Sequence, residues 1–414
     1  MAQPQAYASA PSRADPDRGL QPRRPQICFL YIAQSHQVLH SISIAVALAR
    51  NRPDIDVHIL TTQEDGLSYA RSIVDELGGA PLHWRLLGPA WLRAAHPAGQ
   101  VPLKLPMLAA NVRLLRRFDV IVAPERTTAV LRDFGLRTQK LVYTQHGAGD
   151  REGPFEKRLG RFDLVFAAGA KQRDRMIGEG LVAPNACAVV GYPKFEVVDR
   201  LHRRPPPRFT RDRPVVLYNP HFSAAISSWP SWGPRILASF AAQDEYNLVF
   251  APHLRLFEGR SAADVGALAA FASAPAIHMD LGTRATVDMT YTTLADIYLG
   301  DVSSQIYEFI RRPRPCLFLN AHGVDWRGDE SYRHWRFGPV IDEVAPLLES
   351  LDGARLSHAA YVDEQRAGLS YTFDMDDRPS SQRAADAILA LMEPRSAAVG
   401  PPELGQLARN QSAA

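Results

Sequence analysis

The stretch Asp296-Ile297-Tyr298-Leu299-Gly300-Asp301-Val302-Ser303-Ser304-Gln305-Ile306-Tyr307-Glu308-Phe309-Ile310 decides the fold. A short apolar run from Asp296 to Leu299 ends at Gly300 and Asp301, and two hydroxyls follow at Ser303 and Ser304. Ile306, Phe309 and Ile310 then recur with helical spacing on one face. Asp and Ser are favoured helix N-caps. A helix start leaves backbone N–H groups without partners, and its dipole favours an anion. The segment therefore reads as a buried parallel strand running into a phosphate cradle. Ser-Ser alone would be no more than an ordinary capped helix; the rest of the chain changes that.

On either side, short strand-like runs alternate with helical ones. Ile27 to Ala33 is followed by a helical stretch from about Val38 to Arg50. Val57 to Leu60, a helix near Leu67 to Leu77 and a strand near His83 to Leu87 come next. A longer helix, about Met107 to Phe118, leads to strands at Val120 to Ala123, Leu141 to Thr144, Leu164 to Ala167 and Ala188 to Val190. After a Pro- and Arg-rich break the alternation resumes, with strands at Val215 to Tyr218, Asn247 to Ala251, Ala276 to Met279, Ile297 to Leu299 and Cys316 to Leu319. Such alternation predicts parallel βαβ units.

The expected class is α/β and GT-B-like: two doubly wound, Rossmann-like parallel sheets facing a cleft. The expected organisation is a disordered arm over 1–24, a first, acceptor-binding domain over 25–198 and a stiff linker over 199–213. A nucleotide-donor domain over 214–380, a helix over 381–393 and a disordered tail over 394–414 complete it.

The chain has 414 residues, enough for two domains, and a net charge of +3, too small to point to nucleic acid. Lysine occurs only at 104, 140, 157, 171 and 194, so the cations are mostly Arg, which suits bidentate binding of phosphate and carboxylate. Cys28, Cys187 and Cys316 sit in apolar runs without zinc spacing and are expected to be buried free thiols of a reducing compartment. No run reaches the roughly 18 apolar residues of a membrane span. Residues 1–24 lack the apolar core of a secretory signal, so a cytoplasmic location is expected. Basic clusters at Arg113, Arg116 and Arg117, at Arg200, Arg203, Arg204 and Arg208, and at Arg311, Arg312 and Arg314 have two readings. They are either solvated helix ends or contacts with an anionic inner-membrane surface.

Open parallel sheets bind ligands beyond the carboxyl ends of their strands. Four polar motifs sit there. In Gln34-Ser35-His36-Gln37-Val38-Leu39-His40, His36 and His40 share a helix spacing. They lack a Glu-x-x-His or Cys partner, so positioning an acceptor hydroxyl is expected rather than metal binding. Tyr143-Thr144-Gln145-His146-Gly147-Ala148-Gly149-Asp150-Arg151 ends a strand in His-Gly; Gly147 lets the backbone approach a ligand, with Asp150 and Arg151 beyond it. His146 is either a proton acceptor for an attacking hydroxyl or a turn histidine bonded to backbone. Ala251-Pro252-His253-Leu254-Arg255 could neutralise a leaving phosphate, and His221 ends the preceding strand similarly. The fourth motif, Gly300 to Ser304 with Gln305 and Glu308, is the expected donor-phosphate site. No Asp-x-Asp at a strand end and no Gly-x-x-x-x-Gly-Lys-Ser/Thr loop is present, so no metal is expected and an ATP-type P-loop is excluded.

These motifs resemble those of the CDP-glycerol glycerophosphotransferase family, the teichoic-acid polymerase and primase type with its GT-B catalytic domain. The block Val287-Asp288, Leu294-Ala295-Asp296, Leu299-Gly300-Asp301-Val302-Ser303-Ser304 and Tyr307-Glu308-Phe309 looks like its Asp…Leu-Leu…Ala-Asp…Thr-Asp-Tyr-Ser-Ser…Phe-Asp-Phe. Gln145-His146-Gly147 looks like its Trp-His-Gly, whose His is implied as the base. Pro252-His253 aligns with its Lys-x-His-Pro, whose His is implied to act on donor phosphate. Gly191-Tyr192-Pro193-Lys194 is similar to its Gly-x-Pro-Arg. The resemblance spans about residues 140–320. Val302 replaces a Tyr, Glu308 an Asp, Ala251 a Lys and Leu254 a Pro, and Ala148-Gly149-Asp150 replaces Thr-Pro-Leu.

The expectation is a metal- and cofactor-independent transferase using a nucleotide-activated donor, CDP first. It would move a glycerol-phosphate-like group or sugar to a hydroxyl of an envelope polymer or lipid-linked acceptor. Two rivals stand beside it: a UDP-sugar glycosyltransferase or 2-epimerase of the same fold, and a non-catalytic nucleotide- or glycan-binding component of a polymer export assembly.

Overall fold

Strands buried on both faces need a helical layer on each side, and parallel order follows from the helices that connect them. The computed structural model describes residues 23–95, 101–150, 156–201, 207, 209–258 and 265–393, and its strands sort into two wholly parallel sheets. The first comprises β1 Gln26–Tyr31, β2 Asp56–Thr61, β3 His83–Leu86, β4 Val120–Ala123, β5 Lys140–Tyr143, β6 Leu164–Ala167 and β7 Cys187–Val189. Their order is β3-β2-β1-β4-β5-β6-β7. The second comprises β8 Val215–Asn219, β9 Asn247–Phe250, β10 Ile277–Met279, β11 Ile297–Gly300, β12 Cys316–Leu319 and β13 Val340–Ile341, in the order β10-β9-β8-β11-β12-β13.

Register is fixed by apolar pairing in the sheet centres: Ile27 lies opposite both Val57 and Val120, and Tyr298 opposite both Leu217 and Cys316. Strand order reverses between β1 and β4 in one lobe and between β8 and β11 in the other, which is where crevices open. All four polar motifs follow strands at or near these two switch points. Each sheet is covered on both faces by apolar clusters, and one cluster on the second sheet takes in Ala148, Ala168, Tyr192 and Phe195 of the first lobe.

Three departures from expectation have local causes. The helix expected from Val38 begins instead as a 3-10 turn, Ser35–His40; Ser41 (φ −150°) breaks it from the helix Ile42–Asn51. The helix expected over 107–118 is two short pieces, Lys104–Ala110 and Val112–Leu115. The Asn111 amide donates back to the Met107 carbonyl at 2.8 Å, a local bond that competes with the helical ladder at the break. Strand β13, only two residues long, carries too little periodicity to be seen in the sequence. Cys28 and Cys316 are buried free thiols, whereas Cys187 is half-buried at the edge strand. Residues 1–22 of the arm, part of the linker (202–206 and 208, with Arg203, Arg204 and Arg208) and the tail lie outside the described residues. Among those described, no helix is long and apolar enough to cross a membrane.

The final helix, Ser380–Met392, returns to the first lobe. Ala384, Ala385 and Ile388 are buried in that lobe's core, and Asn51 Nδ2 donates to Gln382 Oε1 at 2.6 Å. The chain crosses back through Asp374, whose N–H donates to the Ala168 carbonyl at 2.8 Å. Truncating the fully buried Ile388 to Ala should cost about 2–5 kcal/mol in denaturant unfolding, because the cavity opens in the joint between the returning helix and the first sheet.

Candidate active site

A cavity of about 590 Å³ opens between the carboxyl ends of the two sheets and is lined by both lobes. Its first-lobe wall begins after β5. Gln145 adopts φ 59°, a strained left-handed conformation for a residue with a side chain. The strain is held by its own amide, which donates to the Phe166 carbonyl at 2.9 Å, and by Gln172, whose amide donates to Gln145 Oε1 at 2.8 Å and to the Gly147 carbonyl at 2.9 Å. This kink presents His146 to the cavity.

His146 Nδ1 lies 2.6 Å from the Pro124 carbonyl, so Nδ1 carries the proton and Nε2 is the basic nitrogen. Burial lowers its pKa below the usual histidine value; Glu125 and the Pro124 bond oppose that shift, and Arg126 and Lys104 add to it. The ring is therefore neutral near pH 7. Burial pushes the Glu125 carboxyl up, but the Lys104 ammonium at 2.7 Å, His146 and Thr127 together hold it low and ionised. His36 and His40 also line the cavity. Burial first pushes both well below the ordinary histidine range; repulsion from His146, His253 and Lys194 adds to it for His36, and from Lys194, His146 and His36 for His40.

The second-lobe wall follows β8, β9 and β11. Here the paired serines divide. Ser303 is buried and donates to Asn219 Oδ1 at 2.8 Å, while Ser304 is exposed to the cleft. Asp301 corrects the expectation for the cradle: its buried carboxylate accepts from the His221 N–H (2.9 Å), the Ser228 N–H (2.6 Å), the Ser228 hydroxyl (2.9 Å) and the Val302 N–H (2.8 Å). It braces the loops and does not face a ligand. Gly300 is likewise off the wall; an added Cβ would meet the Tyr298 hydroxyl at 2.7 Å and its ring at 2.8 Å, so it is a packing position. The helix that follows, Gln305–Phe309, has only five residues, too short for the strong dipole expected of it. The wall on this side is built from side chains rather than from a helix terminus. His253 packs on Phe222 (ring centroids 4.6 Å apart) and His221 (5.5 Å), and the Arg255 guanidinium lies 4.2 Å over Phe222. All of these line the cavity, as does Gln305, whose amide donates to the Thr286 carbonyl at 2.9 Å.

The lobes meet around Ser304. A Cβ added at Gly149 would come within 3.1 Å of Ser304 Cβ, and one at Gly147 within 3.6 Å of Ser304 Oγ. These two glycines therefore allow the close approach. Asp150 corrects a second expectation. It is buried, and accepts from Lys171 Nζ (2.6 Å) in its own lobe and from the Tyr307 hydroxyl (2.8 Å) and His334 Nδ1 (2.9 Å) in the other. His334 Nε2 reaches the Asp301 carbonyl at 3.1 Å. Asp150 is thus an interlobe tie, with no capacity left for an acceptor. Glu308, expected at the donor, is a second tie: it accepts from Lys194 Nζ at 2.6 Å and from the Tyr192 hydroxyl at 3.2 Å. Arg151 lies outside the described residues. Among those described, no group of three or more His, Cys, Asp or Glu side chains is arranged to hold a metal ion.

No protein-family model matches the chain, and no curated protein sequence matches it. Solved structures do. The chain is similar to the wall teichoic acid polymerase TagF (TM-score 0.57, 14% identity, 89% of this chain and 90% of that one). It is equally similar to a Listeria monocytogenes protein assigned as a UDP-N-acetylglucosamine 2-epimerase (TM-score 0.55, 11% identity, 89% and 95%) and to S. aureus MnaA solved with UDP (0.55, 12%, 89% and 96%). At these identities the likeness establishes the architecture: two Rossmann-like domains in the GT-B arrangement.

Several wall residues were not singled out in the sequence: Lys104, Glu125, Arg126, Gln172 and His334. Lys104 and Lys171 had one available signal, being rare lysines in an arginine-rich chain. His334 had none, because it follows no strand.

Burial raises the Asp150 pKa, but Lys171 and His334 outweigh it and hold the carboxyl well below the usual range. Its contribution is therefore complete at neutral pH and is lost only as pH falls through that lowered value. Asp150→Asn strands the Lys171 ammonium and should cost about 3–5 kcal/mol in guanidinium unfolding at neutral pH, with the gap to wild type closing in strong acid.

Proposed function

We propose that the chain is a GT-B transferase that moves a glycerol-phosphate-like group or a sugar from a nucleotide diphosphate donor, CDP-linked first, to a hydroxyl acceptor. The acceptor is an envelope polymer or a lipid-linked precursor. The observation that carries this is the His146 ring: its Nδ1–H is committed to the Pro124 carbonyl, its basic nitrogen is free of that bond, and it lies on the wall opposite Ser304 and His253. A neutral imidazole fixed in one tautomer is suited to general-base work.

In this reading the acceptor oxygen attacks the electrophilic centre of the donor. The new bond forms to that oxygen, and its proton passes to His146 Nε2. The bond to the nucleotide phosphate breaks, and the electron pair leaves on that phosphate. His253, Arg255, His221 and Ser304 meet the growing charge there, with Lys194 beside them. Arg255 brings positive charge to that side, and the histidine N–H groups and the Ser304 hydroxyl donate hydrogen bonds to the leaving phosphate, so the reading invokes no metal. The ties at Asp150 and Glu308 hold both substrates in one geometry, which removes part of the entropic barrier. Glu125, paired with Lys104, steadies the imidazolium once it forms.

The test combines a binding screen with kinetics. CDP-glycerol or a related nucleotide should raise the melting temperature, by about 2.7 kcal/mol of stabilisation at a hundredfold excess over Kd. His146→Ala should remain folded, bind the nucleotide and lose about 10²–10⁴-fold in turnover. Conversion of a UDP-sugar with no acceptor present would instead identify an epimerase, and near-normal turnover in His146→Ala would refute the base.

The pH profile follows from the same ring. Protonation of His146 abolishes its role, and burial keeps its pKa below 6.5. kcat/KM should therefore stay flat through neutral pH and fall only in the acid limb, with the midpoint below 6.5. An acid limb centred above 7 would contradict the assignment.

A further inference from the structure

Six large apolar side chains are strongly exposed among the described residues, and three fall in one short segment: Trp91 (70% exposed), Leu103 (61%) and Leu105 (51%). Two helices carry them, Ala90–Ala94 and Lys104–Ala110. Both are bound to the same face of the first sheet, because Leu92, Met107 and Leu108 share one core cluster with Leu87 and Leu115. Asn111 also ties the second helix to the chain just before the first, donating to the Gly88 carbonyl at 2.5 Å. On the second helix, Leu105, Pro106, Ala109 and Ala110 are all exposed, and the next turns bring exposed Arg113, Arg116 and Arg117.

The charge pattern is one-sided. Residues 77–118 contain no Asp or Glu at all, while Arg85, Arg93, Lys104, Arg113, Arg116 and Arg117 supply six cations. An exposed apolar strip followed by arginines, with no acid inside the segment and Asp119 just beyond it paired with Arg23 (3.1 Å), is the composition of a surface that lies at a lipid–water boundary. Its position fits. Lys104 sits between exposed Leu103 and Leu105, yet its ammonium reaches into the cavity to Glu125 at 2.7 Å, beside His146. The strip therefore rims the first-lobe mouth of the cleft.

We propose that this surface docks the protein on an anionic lipid bilayer and holds the His146 side of the cleft against it. Trp91, Leu103 and Leu105 enter the headgroup boundary, and Arg113, Arg116 and Arg117 contact lipid phosphates. The inference deepens the reading of the acceptor: a lipid-linked acceptor would then arrive at the cleft mouth from the membrane itself. It rests on that reading only for the identity of the acceptor, since docking needs no turnover.

The full chain is mixed with vesicles of phosphatidylcholine alone or with phosphatidylglycerol and sedimented at low salt. Wild type should pellet with the mixed vesicles and be released as salt rises. The Trp91→Ser, Leu103→Ser, Leu105→Ser triple variant alters only exposed positions, so its melting temperature should be unchanged while vesicle binding falls by about tenfold or more. Arg113→Glu, Arg116→Glu, Arg117→Glu should lose the preference for phosphatidylglycerol by a similar factor, about tenfold. Wild type that stays in the supernatant, or a serine variant that pellets as well as wild type, overturns the proposal. So does sedimentation velocity showing a wild-type dimer that the serine variant abolishes, which would assign the strip to a second copy of this chain. A nucleotide-binding or turnover failure would not change the vesicle result, so the two readings fail separately.

Discussion

The cleft exists because one carboxylate is shared across it. Asp150 leaves the first lobe just beyond the His146 kink and is claimed at once by Lys171 from its own lobe and by Tyr307 and His334 from the other. His334 passes the connection on to the backbone at Asp301, whose own carboxylate organises the loops after β8 and β11. A buried ion pair is seldom a strong source of net stability, but removing one partner is costly, so such a pair enforces a single arrangement. Here that arrangement sets the wall of His146 against the wall of His253, Arg255 and Ser304. The Lys194–Glu308 pair repeats the device on the other side of the mouth.

Electrostatics in the cleft follow from this closure. The walls carry His36, His40, His146, His221, His253, Lys104, Lys194, Arg126 and Arg255 against few acids, and two of those acids, Asp150 and Glu308, are consumed by the ties. Burial holds His36, His40 and His146 below the ordinary histidine pKa, so the His146 ring is neutral near pH 7. On the proposed reading, a neutral imidazole on the first-lobe wall and the Arg255 guanidinium on the second divide the work of group transfer from a diphosphate.

The architecture was legible because strand-then-helix alternation is a long-range pattern repeated many times, and every long strand produced its signal. The motif at 296–310 showed where the second crevice opens. What failed to show was anything dependent on partners distant in the chain. Asp150 and Asp301 looked like ligand residues because they are acids at strand ends; only the fold reveals that each is saturated by several donors. Ser303 and Ser304 are alike in sequence and opposite in environment. His334 carries no local mark, because its importance comes from packing between two residues more than thirty positions away, one of them in the other lobe. The family resemblance pointed to the correct architecture, while the residues departing from it, such as Asp150 in the loop after His-Gly, became interlobe ties.

The most direct measurement is a crystal structure of the full chain soaked with CDP or UDP. The account predicts diphosphate density between Ser304, His253 and Arg255, within hydrogen-bond reach of those side chains and on the side of the cleft that faces His146. A nucleotide bound elsewhere, or one whose phosphates point away from the His146 wall, would contradict it.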